Sequence, residues 1–167
     1  MKLWPYVGVI LSLCLICSGC GKPSADELFR KGEAATHRMD HYPEAERHLV
    51  DFLQYYPDDP RADIALQALA RVLMNQRRNE AAIARYEELI QRLPNSRYCD
   101  HAQFMIGYIY DQEGKYDPAR AAYQKVIQEY PTSELADDAH ISIQNLGKAP
   151  ELWLFPDSAS VDTALGL

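Results

Sequence analysis

Residues 102–131 read AQFMIGYIYDQEGKYDPARAAYQKVIQEYP. Ile106, Gly107 and Tyr110 share one helical face in the first half, and Ala119, Tyr123, Val126 and Ile127 share one in the second. Glu113-Gly114-Lys115-Tyr116 separates the two runs as a short turn, and Pro131 stops the second. The stretch therefore predicts a helical hairpin with one apolar stripe on each arm. A single hairpin cannot bury both stripes, so it needs neighbours of its own kind.

The neighbours are present in the chain. Pro57, Pro94 and Pro131 stand 37 residues apart, and the same interval links Ala45, Ala82 and Ala119. It also links Leu49, Tyr86 and Tyr123, then Phe52, Leu89 and Val126. A further column, Asp59, Ser96 and Ser133, holds residues that cap helix N-termini. In the second unit Leu66, Leu69, Ala70 and Leu73 line one helix, and Ala82, Tyr86, Leu89, Ile90 and Leu93 line the next.

The first unit fits least well. Strict spacing puts Phe29, Gly32, Glu33 and Thr36 at the core positions of its first helix. A turn longer by one residue puts Leu28, Gly32 and Ala35 there, which is the better apolar pattern. Ser24 and Glu27 form a capping box, so helix one is expected to start beside Ala25. After Ser133 a last helix carries Leu135, Ala139, Ile143 and Leu146 on one face, and Gly147 and Pro150 end it. It reads as the solvating cap that such arrays require. The tail, residues 148–167, contains Trp153-Leu154-Phe155, which folds back over the cap, binds a partner or is disordered.

The repeated pattern resembles the tetratricopeptide repeat family, on Ile106, Gly107, Tyr110, Ala119, Tyr123 and Pro131. The resemblance implies an all-α, right-handed superhelical solenoid of three helix pairs plus a C-terminal capping helix. The expected units are 25–58, 59–95 and 96–132, with the cap at 133–147. Usual units of the family have about 34 residues, and the three extra here fall after each proline.

The amino end reads as an address. Met1-Lys2, an apolar run from Val7 to Cys17, and the small residues Ser18 and Gly19 describe a secretory signal at 1–19. Cys20 then resembles the lipidated cysteine of bacterial lipoproteins, although Cys17 stands where Leu is usual. Residues 20–24 would be the acylated Cys and a short linker. Gly21 is not the Asp that retains many such proteins at the inner membrane, so the resemblance implies the outer membrane, facing the periplasm. The CxxCxxC spacing of Cys14, Cys17 and Cys20 lies inside the signal's apolar segment and is not read as a metal motif. Cys99 reads as a small residue near a helix start, with a reactive thiol as the other reading.

Chemistry finds little support. Seventeen Lys and Arg against 24 Asp and Glu leave a net charge of −7, which argues against a nucleic-acid partner. No GxGxxG, P-loop or GxSxG motif is present. His37 and His41 lie at i, i+4, but no HExxH accompanies them, and they read as a solvated pair rather than zinc ligands. Asp58-Asp59, Glu87-Glu88 and Asp137-Asp138 are adjacent in sequence and point apart on a helix. No catalytic residue, cofactor or metal site is assigned, and no enzyme activity is expected.

Binding is the better expectation. First helices line the concave wall of stacked helical pairs. The core columns then aim Arg30, His37, Gln67, Arg71, Asn75, Phe104, Tyr108 and Gln112 into a groove for proteins or peptide segments. Some tetratricopeptide proteins clamp a terminal carboxylate with Lys and Asn; the matching positions here hold Arg30 or Phe29, Ala68, His101 and Met105, unlike that clamp. Among lipidated members the chain resembles the BamD-type outer-membrane assembly lipoproteins, in its lipobox and in the Tyr-Pro ends of its second helices. It is shorter than their usual five units. That resemblance implies a lipid-anchored periplasmic scaffold serving envelope proteins. The alternative is an envelope-coordination role like that of the Tol-Pal-associated (CpoB/YbgF) type.

Overall fold

The computed structural model describes residues 22–148. The signal, Cys20 and the Trp153-Leu154-Phe155 segment lie outside the described residues. Seven α-helices follow one another, and no strand occurs among the described residues. They are α1 (Ala25–Ala35), α2 (Tyr42–Tyr55), α3 (Ala62–Asn75), α4 (Asn79–Arg92), α5 (Cys99–Gln112), α6 (Tyr116–Glu129) and α7 (Glu134–Asn145), with a 3-10 turn at Met39–His41 before α2. Each helix packs chiefly on its chain neighbours, and α1 touches α3 as α5 touches α7. This is the stacking that a hairpin repeat requires.

The repeat columns form the core. Ala45, Ala82 and Ala119, then Leu49, Tyr86 and Tyr123, then Phe52, Leu89 and Val126 are each at most 1% exposed. The bulky second-helix residue of each unit needs a small residue opposite, because interiors are close-packed. Gly32 and Gly107 supply it. A Cβ on Gly107 would stand 2.7 Å from the Tyr123 ring, and one on Gly32 would stand 2.8 Å from Leu49 Cγ. Leu49 and Tyr123 belong to one column, whereas Gly32 and Gly107 are one residue out of step with the repeat.

That slip is where the first unit departs. Leu28, Gly32 and Ala35 are buried in α1, as the shifted pattern requires. The turn is not the cause, since α1 and α2 start 37 residues before α3 and α4. Instead α1 stops at Ala35, and Thr36 closes it by donating its hydroxyl to Glu33 O at 2.7 Å. The capping box is half made. Ser24 Oγ accepts from Glu27 N at 3.2 Å, but the Glu27 carboxylate turns to Lys31 Nζ at 2.7 Å.

The Asp59, Ser96 and Ser133 column caps in a way that residue type alone does not show. Their side-chain oxygens accept from the N–H two residues on, Arg61, Tyr98 and Leu135, at 3.0, 3.2 and 3.1 Å. Only Ser133 is a helix N-cap; α3 and α5 begin three residues after Asp59 and Ser96. The two serines also reach back to the preceding unit. Ser96 Oγ donates to Asp63 Oδ2 at 2.7 Å, and Ser133 Oγ donates to Asp100 Oδ2 at 2.6 Å. Asp63 and Asp100 are the second residues of α3 and α5, and Asp26 is the second residue of α1. At the first junction Asp59 has no proton to donate, so Arg61 bridges the two carboxylates. It donates to Asp26 Oδ1 at 2.7 Å and to both oxygens of Asp59 at 2.8 Å. That pairing holds the Asp59 carboxyl below its usual range.

Asp137 continues this column into α7, where it is exposed. Ala136, Ala139 and Ile143 of α7 repeat the places of Cys99, Ala102 and Ile106, so α7 is a first helix in register. Its next face has changed character. His140 and Gln144 are exposed where unit two buries Leu66 and Ala70.

Two substitutions test these contacts. Gly107→Leu should overpack the contact with Tyr123 and cost about 1–3 kcal/mol, or roughly 2–4 °C of Tm per kcal/mol for a chain of this size; calorimetry showing an unchanged Tm would refute the close approach. Ser96→Ala should cost about 0.5–1.5 kcal/mol, the net worth of a typical hydrogen bond. Its double-mutant cycle with Asp63→Ala should show coupling of at least about 0.5 kcal/mol if the junction bond is real.

Candidate functional site

The candidate groove residues come from three first helices and one turn. Arg30 is on α1, Gln67, Arg71 and Asn75 are on α3, and Phe104, Tyr108 and Gln112 are on α5. His37 lies past the end of α1, in the turn before Met39. Two hollows open along this wall. One, of about 390 Å³, is lined by His37, Gln67 and Arg71 together with Glu33, Tyr86 and His101. The other, of about 260 Å³, is lined by Asn75, Tyr108 and Gln112. Met74 borders both, so the two adjoin.

Arg30 and Phe104 line neither hollow. Arg30 is exposed on α1. Phe104 packs its ring on Tyr123, with centroids 5.1 Å apart, and belongs to the core under α7. The repeat spacing aims both residues at the wall, but it does not register that Phe104 is drawn inward by the buried tyrosine column.

Several groove side chains also join one repeat to the next. Gln67 Nε2 bonds His101 Nδ1 at 3.1 Å, Arg71 donates to Thr36 Oγ1 at 3.2 Å, and Asn75 donates to the Tyr42 hydroxyl at 2.9 Å. These bonds hold the wall in shape, so a ligand meets side chains whose rotamers are already restrained. Tyr108 is 39% exposed, one of the larger hydrophobic side chains open to water.

The electrostatics of the first hollow are set by burial beside one cation. Tyr86 is 1% exposed, and burial pushes its hydroxyl up to about 12 although Arg71 acts in the opposite sense. Burial also lowers the His101 imidazole, with Asp100 opposing and Arg71 reinforcing the shift. The ring is therefore neutral near pH 7. With Gln67 donating to Nδ1, its proton sits on Nε2. The repeat columns read Tyr86 only as core, because that spacing reports depth and not where a phenol's oxygen ends. His101 was visible as a family groove position, but its partnership with Gln67 crosses 34 residues.

The cysteine, the turn histidine and the adjacent acids take structural roles. Cys99 is 1% exposed, and its Sγ donates to Leu93 O at 3.2 Å. Burial raises its pKa, so it is a protonated thiol and a poor nucleophile. His41 sits in the 3-10 turn beside Asp40 and Glu44, at 3.6 and 3.3 Å. Among the described residues no three His, Cys, Asp or Glu side chains converge as metal ligands. Glu88 pairs with Arg85 and Arg92 on α4. What the wall offers chemically is a row of donors and an exposed aromatic ring, suited to holding a polypeptide.

Comparison with curated proteins found no match. Residues 68–134 match the family model of the tetratricopeptide repeat, which runs from α3 through the start of α7. The match and the stacked hairpins together make the chain a helical solenoid of tetratricopeptide-type pairs, an architecture that serves protein–protein interaction.

Proposed function

We propose that this chain is a lipid-anchored, periplasm-facing adaptor that holds segments of other envelope proteins along its first-helix wall, in the service of outer-membrane protein assembly. The observation that carries the reading is the pair of adjoining hollows. They share Met74 and run across α3 and α5, the arrangement an extended segment needs. The tetratricopeptide match supports a protein or peptide partner. The net charge of −7 disfavours nucleic acid.

The anchor rests on the sequence around Cys20. Acyl chains there would give stable attachment, since burial contributes about 0.8 kcal/mol per CH₂ and more than one chain is present in such anchors. Residues 20–24 can span at most about 3.3–3.6 Å each, so the array starting at Ala25 would stay close to the membrane surface. The wall would then meet partners as they approach or leave the bilayer.

Two experiments divide the reading into its parts. Cys20→Ser should move the protein from the membrane to the soluble fraction; sedimentation with membranes unchanged would remove the lipid anchor. Arg71→Glu combined with Tyr108→Ala should abolish crosslinks made from photoreactive residues on the wall, while circular dichroism and Tm stay close to wild type. Retention of every crosslinked partner by that folded variant would remove the groove.

A further inference from the structure

The first hollow gathers hydrogen-bond donors around a guanidinium that no carboxylate pairs among the described residues. Tyr86 is almost wholly buried yet lines the hollow, and Arg71 is close enough to act on its hydroxyl. Arg71 reaches the same hollow, and its hydrogen bond goes to the neutral Thr36 hydroxyl. No carboxylate lies within ion-pair distance of it among the described residues, in contrast to Arg61, Arg78 and Arg92. His101 completes the set, with Nδ1 taken by Gln67 and its proton on Nε2. Glu33 stands at the rim as the one acid, exposed to water that screens its charge.

We propose that the hollow beside Arg71 is a subsite for an internal acidic side chain, Glu or Asp, of an extended partner segment. The proposal rests on the adaptor reading above and deepens it. A carboxylate offers two oxygens with several lone pairs and no proton, which matches a guanidinium, a phenol and an imidazole N–H. An amide of the same shape would satisfy fewer of these donors and gain no charge assistance. The second hollow gives such a segment its path, from Arg71 past Met74 toward Tyr108 and Gln112, and the free-terminus peptide below separates an internal acid from a chain end.

The test uses the full-length protein purified in detergent and short acetylated, amidated alanine peptides with a central glutamate, glutamine or lysine. A further alanine peptide carries a free terminal carboxylate. Binding is read by fluorescence anisotropy. The glutamate peptide should bind about ten-fold tighter than the glutamine peptide, as a charge-assisted bond near 1.4 kcal/mol would give. Arg71→Gln should erase that preference, and Tyr86→Phe, which keeps the ring and the packing, should reduce it. Equal or tighter binding of the glutamine or lysine peptide by the wild-type protein would overturn the proposal without any variant having to fold. So would tighter binding of the free-terminus peptide, or a preference that survives Arg71→Gln. Wall crosslinks lost in the groove variant, with glutamate and glutamine bound alike, would sink this subsite and spare the adaptor. Crosslinks indifferent to the wall, with the glutamate preference intact, would do the reverse.

Discussion

The array depends on one contact made in each unit, a bulky second-helix side chain pressed onto a small first-helix residue. Tyr123 lies over Gly107 so closely that even a methyl group would collide, and Leu49 lies over Gly32 in the same way. In unit two Ala70 and Tyr86 are both fully buried at the corresponding places. Close approach of the helices lets each hairpin present a continuous apolar edge, and the next hairpin covers it. A chain of this length could not otherwise bury Phe52, Leu89 and Val126 in a row, because no single hairpin has an interior.

Apolar stacking alone would leave the junctions free to slide. The polar bonds across them set the angle. Ser96 to Asp63 and Ser133 to Asp100 repeat one bond at two junctions, and Arg61 rebuilds it at the first, where Asp59 replaces the serine. Two acids facing one another would repel, so the guanidinium between them is a requirement of that substitution. These bonds lie at the helix starts, and the groove bonds of Arg71 and Asn75 lie farther along the same helices. The wall is thus fixed at two levels, which limits the entropy a bound segment must cost it.

Most of the fold was legible because the repeat reports itself three times. The columns of Ala45, Leu49, Phe52 and Pro57 and their successors specified seven helices and the buried faces without any tertiary knowledge. The capping column was legible in residue type but not in detail, since a Ser or Asp signals a turn without saying whether its oxygen serves the second or third N–H. The aspartate column at 26, 63, 100 and 137 is equally periodic, but an acid in the first turn of a helix looks like a wet residue until the next repeat is stacked on it. The groove was half legible. Spacing aimed Gln67, Arg71, Asn75, Tyr108 and Gln112 at a shared wall with His37. It gives no sign that Phe104 sinks toward Tyr123 or that Tyr86, deep in the core, also lines a hollow.

Tyr86 links these levels. Its ring is the second-unit member of the column that holds each hairpin closed, and the same residue lines the hollow beside Arg71. Leu49 occupies the same column in unit one and has no polar end to offer, while Tyr123 lies beneath α7 with Phe104 packed against it. Repetition therefore supplies three equivalent contacts, but only the middle one combines depth, a hydroxyl and a neighbouring cation. A ligand held there touches a side chain whose position is set by the hydrophobic core rather than by the surface. Binding at that point is coupled to the packing of the whole middle unit, so a segment that engages Arg71 and Tyr86 also stabilises the stack that presents them.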